Sequence, residues 1–82
     1  MALAVMGILL KNRREQAPEV QEVLTKYGDL ILARSGVHDP AQDRGLISLT
    51  VEGADEELGA LAKELEDVSG VSVSTAFFDN AD

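Results

Sequence analysis

The sequence predicts an α+β domain whose elements run β-α-β-β-α-β, with two helices on one face of a four-stranded antiparallel sheet. Three observations carry that expectation. Apolar residues recur at three- and four-residue spacing over 17–27 and again over 58–65, the mark of amphipathic helices. Each helix is flanked by apolar or alternating runs of strand length, at 2–10, 30–35, 46–51 and 71–77. Right-handed crossovers in the two β-α-β halves then place both helices on the same side of the sheet.

Residues 2–10 are apolar throughout and end at Lys11-Asn12-Arg13-Arg14, which reads as a central strand covered on both sides. Ala17, Val20, Val23, Leu24 and Tyr27 form the stripe of the first helix, with Glu19, Gln21, Glu22 and Lys26 off it. Pro18 suits the first turn, and Gly28 stands where a left-handed C-cap is expected. Leu30 to Ser35 reads as the second strand. The turn formers from Gly36 to Gly45 read as a long hairpin loop. Ile47, Leu49 and Val51 then point one way, and Leu46, Ser48 and Thr50 the other. Asp55 is the expected N-cap of the second helix, whose stripe is Leu58, Leu61, Ala62 and Leu65. Ser69-Gly70 breaks it, and Val71, Val73, Thr75 and Phe77 alternate along the last strand. One domain over 1–78 is expected, followed by a polar, frayed tail over 79–82.

This order is the ferredoxin-like βαββαβ sandwich. Its helices cover one face of the sheet. The other face is expected to carry Ala4, Met6 and Ile8, Ser48 and Thr50, and Ser72, Ser74 and Ala76, a set without charges. A solvated face ordinarily holds Lys and Glu, so this one is expected to pack on another sheet or subunit, or to stand as a modestly polar open face.

With 82 residues the chain is sized for one domain with little stability to spare. It has no cysteine, which excludes disulfides, thiolate nucleophiles, and the CxxC site of heavy-metal chaperones of this topology. That composition fits a reducing cytoplasm. Seven Lys+Arg against fifteen Asp+Glu leave a formal charge of −8, which disfavours direct nucleic-acid binding. The apolar N-terminal run lacks a basic leader, is far shorter than the ~20 residues a membrane span needs, and reads as a strand.

The chain resembles the bacterial iron-only hydrogenase system regulators, which have an ACT-like, ferredoxin-like fold. The resemblance runs through Val5-Met6-Gly7-Ile8, Asn12-Arg13, Ala17 to Leu24, Tyr27 to Ile31 and Arg34-Ser35-Gly36-Val37. It continues through Ile47-Ser48-Leu49, Asp55 to Leu61 and Ser69 to Val73. These residues mostly determine the fold. The relatives resemble the ligand-binding half of nickel-responsive repressors without the DNA-binding half. The resemblance implies hydrogenase-linked regulation, and effectors bound near the junction of first strand and first helix beside a neighbouring subunit. The chain departs from the family pattern at His38-Asp39-Pro40, and it lacks the glycine usual at that junction.

Three groups are candidate sites. Asn12, Arg13 and Arg14, with Lys11, precede a helix N-terminus, where free N–H groups favour anions; the same residues also read as a solvated loop that neutralises nearby carboxylates. Arg34 and Arg44 flank the hairpin and read as further anion contacts or as exposed ion-pair partners. His38, with Asp39 and Asp43, offers metal-ligand types but reads equally as an exposed turn histidine.

Catalysis finds little support. No Ser/His/acid motif, GxGxxG or P-loop is present, and Asn12-Arg13 lacks the Gly-rich loop an acylphosphatase needs. The expected function is a non-enzymatic regulatory module, a dimer or tetramer that binds a small anionic effector and signals to a partner protein. The alternative is a ligand-free interaction or assembly factor for a metalloenzyme.

Overall fold

The computed structural model describes residues 1–78, so the expected tail at 79–82 lies outside the described residues. The chain order is β1 (Ala2–Leu10), α1 (Arg13–Lys26), a 3-10 turn (Gly28–Leu30), β2 (Ile31–Asp39), β3 (Arg44–Gly53), α2 (Asp55–Glu66) and β4 (Val71–Phe78). The four strands form one antiparallel sheet in the order β2-β3-β1-β4. Both helices pack on one face, giving the ferredoxin-like sandwich.

The core is aliphatic. Ala4, Met6, Ile8 and Leu10 of β1 and Leu49 and Val51 of β3 meet Val20 and Leu24 of α1 and Leu58, Leu61 and Leu65 of α2. Each such large side chain contributes about 1.5–3 kcal/mol by leaving water.

This corrects the expected open face. Ala4, Met6 and Ile8 point into the core, and Leu3, Val5, Gly7 and Leu9 face away from the helices. β1 is apolar in both alternations, so its own sequence has no phase. Pairing supplies it. Met6 stands opposite Leu49 and Ile8 opposite Ile47, and opposed residues share a face. β1 is central as expected, but helices cover only one side of it; Val5 is 42% exposed.

The register writes the open face as rows across the strands. One row holds Ser74, Gly7, Ser48 and Ser35, and the next Ala76, Val5, Thr50 and Ala33. Beyond the serine row lie Ser72, Leu9, Leu46 and Val37, and at the opposite end Phe78, Leu3 and Glu52.

Other boundaries differ from expectation. The hairpin loop is only Pro40–Asp43, because Gly36–Asp39 pairs with Arg44–Ile47 and extends both strands. The Asp39 carboxylate accepts the Ala41 N–H at 3.2 Å, and Asp43 takes φ 51°, closing the turn. α1 begins at Arg13, which puts Pro18 inside the helix. Its start is held by Gln16, whose Oε1 accepts the Asn12 N–H at 3.0 Å. Gly28 is not a left-handed cap: Leu30 N–H bonds to the Tyr27 carbonyl at 3.0 Å and the chain tightens into a 3-10 turn. Ala54, not Asp55, is the N-cap of α2, its N–H donating to Glu57 Oε1 at 2.9 Å.

Candidate functional site

β2 is an edge strand, and its helix-side residues Arg34, Gly36 and His38 stay exposed. The neighbouring side of α1 explains this. Arg13, Ala17 and Gln21 are spaced by four and form one ridge along that side. They are too polar or too small to close over β2. A cleft remains, about 360 Å³, between that ridge and β2, floored by Leu10, Gly45 and Ile47.

Arg13 enters the cleft from the first residue of α1. Its N–H bonds to the Asp43 carbonyl at 2.8 Å, tying the helix start to the hairpin. Its Nη1 lies 3.3 Å from His38 Nε2. A guanidinium only donates, so a hydrogen bond at this contact takes Nε2 as its acceptor. Further along the cleft, Arg34 Nη2 donates to Gln21 Oε1 at 3.0 Å.

The arginines divide by partner. Arg44 Nη2 meets Asp39 Oδ2 at 3.0 Å, and this guanidinium holds the Asp39 carboxyl below its ordinary range. Arg14 lies 3.9 Å from Asp43 and is otherwise open to solvent. Arg13 and Arg34 instead meet His38 and Gln21, and no carboxylate, among the described residues. No carboxylate lines the cleft among the described residues, although the chain carries fifteen Asp+Glu.

The structure therefore brings Arg13, Arg34 and His38 together and leaves the other candidates apart. Asn12 serves as the N-cap position of α1. Arg14 and Arg44 belong to ion pairs outside the cleft. His38 and Asp39 are adjacent in β2 and point to opposite faces, so the His38-Asp39-Asp43 metal set does not assemble. No cluster of three metal-ligand side chains occurs among the described residues. Sequence reasoning missed Gln21, Gly36 and Gly45; the four-residue spacing from Arg13 through Ala17 to Gln21 was the available signal.

A second polar group joins the helices rather than a site. The Tyr27 hydroxyl donates to Glu64, and Lys26 Nζ reaches the same carboxylate at 3.0 Å. The tyrosine and then the lysine hold the Glu64 carboxyl below the usual range, and the bond to Glu64 raises the Tyr27 hydroxyl above its own.

No helix among the described residues is long and apolar enough to cross a membrane. The model of the TM1266-like family, described as "Iron-only hydrogenase system regulator, putative", matches residues 2–75. No curated protein matches the sequence. Among solved structures, the chain is similar to the uncharacterized protein TM1266 from Thermotoga maritima. Identity is 26% over 94% of this chain and 96% of that one, with a TM-score of 0.89. It is also similar to the C-terminal domain of the MgtC protein from Mycobacterium tuberculosis, at 13% identity over 100% and 93% of the two chains and a TM-score of 0.72. CPII from Thiomonas intermedia, a nitrogen regulatory PII-like protein bound to ADP, AMP and bicarbonate, aligns at 18% identity. There the coverage is 98% and 93%, with a TM-score of 0.60. The last two likenesses show a shared fold alone.

Proposed function

The chain belongs to the TM1266-like family of iron-only hydrogenase system regulators, and from that premise we propose that it is a non-enzymatic sensor of a small anionic effector. It acts in the cytoplasm as a homo-oligomer and passes its state to a partner protein of the hydrogenase system. The effector binds in the cleft between α1 and β2.

One observation carries the effector reading. In a chain of charge −8, two arginines face one cleft against His38 and Gln21, with no carboxylate beside them among the described residues. Burying a guanidinium's donors against an anion yields strong, charge-assisted bonds. Arg13 and Arg34 supply those donors, His38 and Gln21 orient them, and Leu10, Ala17 and Ile47 offer apolar contact to the body of the ligand. A ligand that favours one oligomeric arrangement shifts the population toward it by its differential affinity.

The test is the melting temperature of the purified protein against phosphate, sulfate, succinate, citrate and glutamate. A ligand that binds only the folded state raises it. At least one anion is expected to raise the wild-type value, and the Arg13→Ala/Arg34→Ala pair is expected to abolish the rise. The competing reading, a ligand-free assembly factor for a metalloenzyme, is favoured by the uncharged middle rows of the open face. It predicts no rise with any anion.

A further inference from the structure

We propose that the open face of the sheet is where a second copy of this chain docks, the two sheets stacked face to face about a two-fold axis lying between them. The proposal rests on the homo-oligomer part of the functional reading and is independent of the effector.

Charge points to a second copy. Two chains of charge −8 repel one another, and the open face is where they can approach without opposing charges. From the Phe78-Leu3 end to the Val37-Leu46 end, the rows between hold no ionisable side chain. The charged residues sit at the margins, with Glu52 in the Phe78-Leu3 row itself and the Asp39–Arg44 ion pair beyond the other end. An uncharged middle with a charged rim is the usual anatomy of a protein interface.

Side-chain size is graded in the same sense. The smallest central residues are Gly7 and Ser48, directly opposed between the two inner strands, with the larger Val5 and Thr50 in the adjoining row. The ends hold Val37, 70% exposed, Phe78, 53%, and Leu46, 45%. Twisted sheets stacked face to face diverge away from their point of closest approach. Small side chains at the centre allow close approach, and large ones at the ends fill the gap that opens. Because a two-fold axis presents the same surface from both sides, this one grading serves both copies.

The area is sufficient. Four strands ~4.8 Å apart, with about seven residues each at ~3.4 Å, give a footprint of roughly 450 Å² per copy. Two corrugated faces then bury about 1,000 Å² of accessible surface, the lower bound for a specific interface. The serine row argues against a lipid surface, since its hydroxyls would lose water without gaining partners. Across a dimer axis they can bond to their own copies.

The absence of native cysteine makes the test clean. With full overlap, Ser48 lies beside the axis, so Ser48→Cys is expected to give a covalent dimer with a short bis-maleimide. Lys63→Cys, on the exposed side of α2, is the control and should not. Ser48→Lys is expected to convert the dimer seen by sedimentation equilibrium into a monomer with an unchanged far-UV spectrum. Raising the salt concentration should leave the wild-type dimer intact or tighten it, because the screened charges only repel. A wild-type monomer at high micromolar concentration overturns the proposal. So does a dimer that survives Ser48→Lys, which would place the contact on the β2 edge. If Ser48→Lys does not fold, cross-linking of Ser48→Cys decides by itself. An anion-induced rise in melting temperature that persists in monomeric Ser48→Lys separates this proposal from the effector reading.

Discussion

The side chain of Arg13 lies across Gly45: a β-carbon at the glycine would stand 3.2 Å from Arg13 Cδ and 3.4 Å from Cγ. The missing side chain on β3 is what lets the arginine stem rest on the strand and its guanidinium reach His38.

Gly45→Val is therefore a substitution at the site rather than in the core. The valine methyls push the Arg13 stem out toward solvent. Losing one charged hydrogen bond of about 1.5 kcal/mol weakens anion binding roughly tenfold. Titration of the stabilising anion, followed by melting temperature, should show that loss. The melting temperature without anion should move little, because the Arg13 stem is free to swing away.

The phase of β1 gives a paired prediction. Met6→Lys buries an unpaired ammonium in the aliphatic core, a cost of several kcal/mol in a domain with only about 5–15 kcal/mol of total stability. Val5→Lys places the same charge on the open face. Circular dichroism should show Met6→Lys unfolded and Val5→Lys folded. The reverse result would restore the opposite face assignment.

Gly70 takes φ 82°, and a β-carbon there would collide with Gln16 Nε2. Gly70→Ala should cost on the order of 1–3 kcal/mol through backbone strain alone. Gln16 donates to the Ser69 carbonyl at 2.5 Å and accepts from Asn12, so Gln16→Ala strands two partners at the same corner. It should cost about 1–3 kcal/mol. Urea midpoints check both, and the double variant should lose less than the sum because the residues share one contact.

Glu64 predicts the acid limb of stability. Its folded-state carboxyl titrates below the ordinary value, held there first by Tyr27 and then by Lys26. Its contribution is present above about pH 4 and is lost as pH falls through the depressed value. Glu64→Gln should flatten the urea midpoint between neutral pH and pH 3. Tyr27 shows the converse. Its hydroxyl is raised, so its contribution is complete below about pH 10 and is lost as pH rises further. Tyr27→Phe should reduce both limbs.

Most of the fold was legible in residue order. The apolar stripes of α1 and α2, the alternation of β3 and the break at Ser69-Gly70 each reflect a local period that side-chain burial imposes. The hairpin was less legible. Gly36, Pro40 and Gly45 are turn formers in isolation, but cross-strand bonds to β3 hold Gly36–Asp39 extended. At Pro18, the reach of Gln16 back to Asn12 moved the helix start upstream of where the proline pointed. The cleft was legible only in pieces. Arg13, Arg34 and His38 belong to three separate sequence features, and 25 positions separate Arg13 from His38.

By itself the sequence determined the element order, the aliphatic core and the scarcity of positive charge. These follow from periodicity and composition, which act over a few residues at a time. Tertiary structure decided which face of β1 is buried, because a strand apolar on both sides takes its phase from its neighbours. It also decided which arginines meet a carboxylate among the described residues. Whether a guanidinium meets Asp39, Asp43, His38 or Gln21 depends on which strand and helix ends come together, and no spacing along the chain encodes that distance.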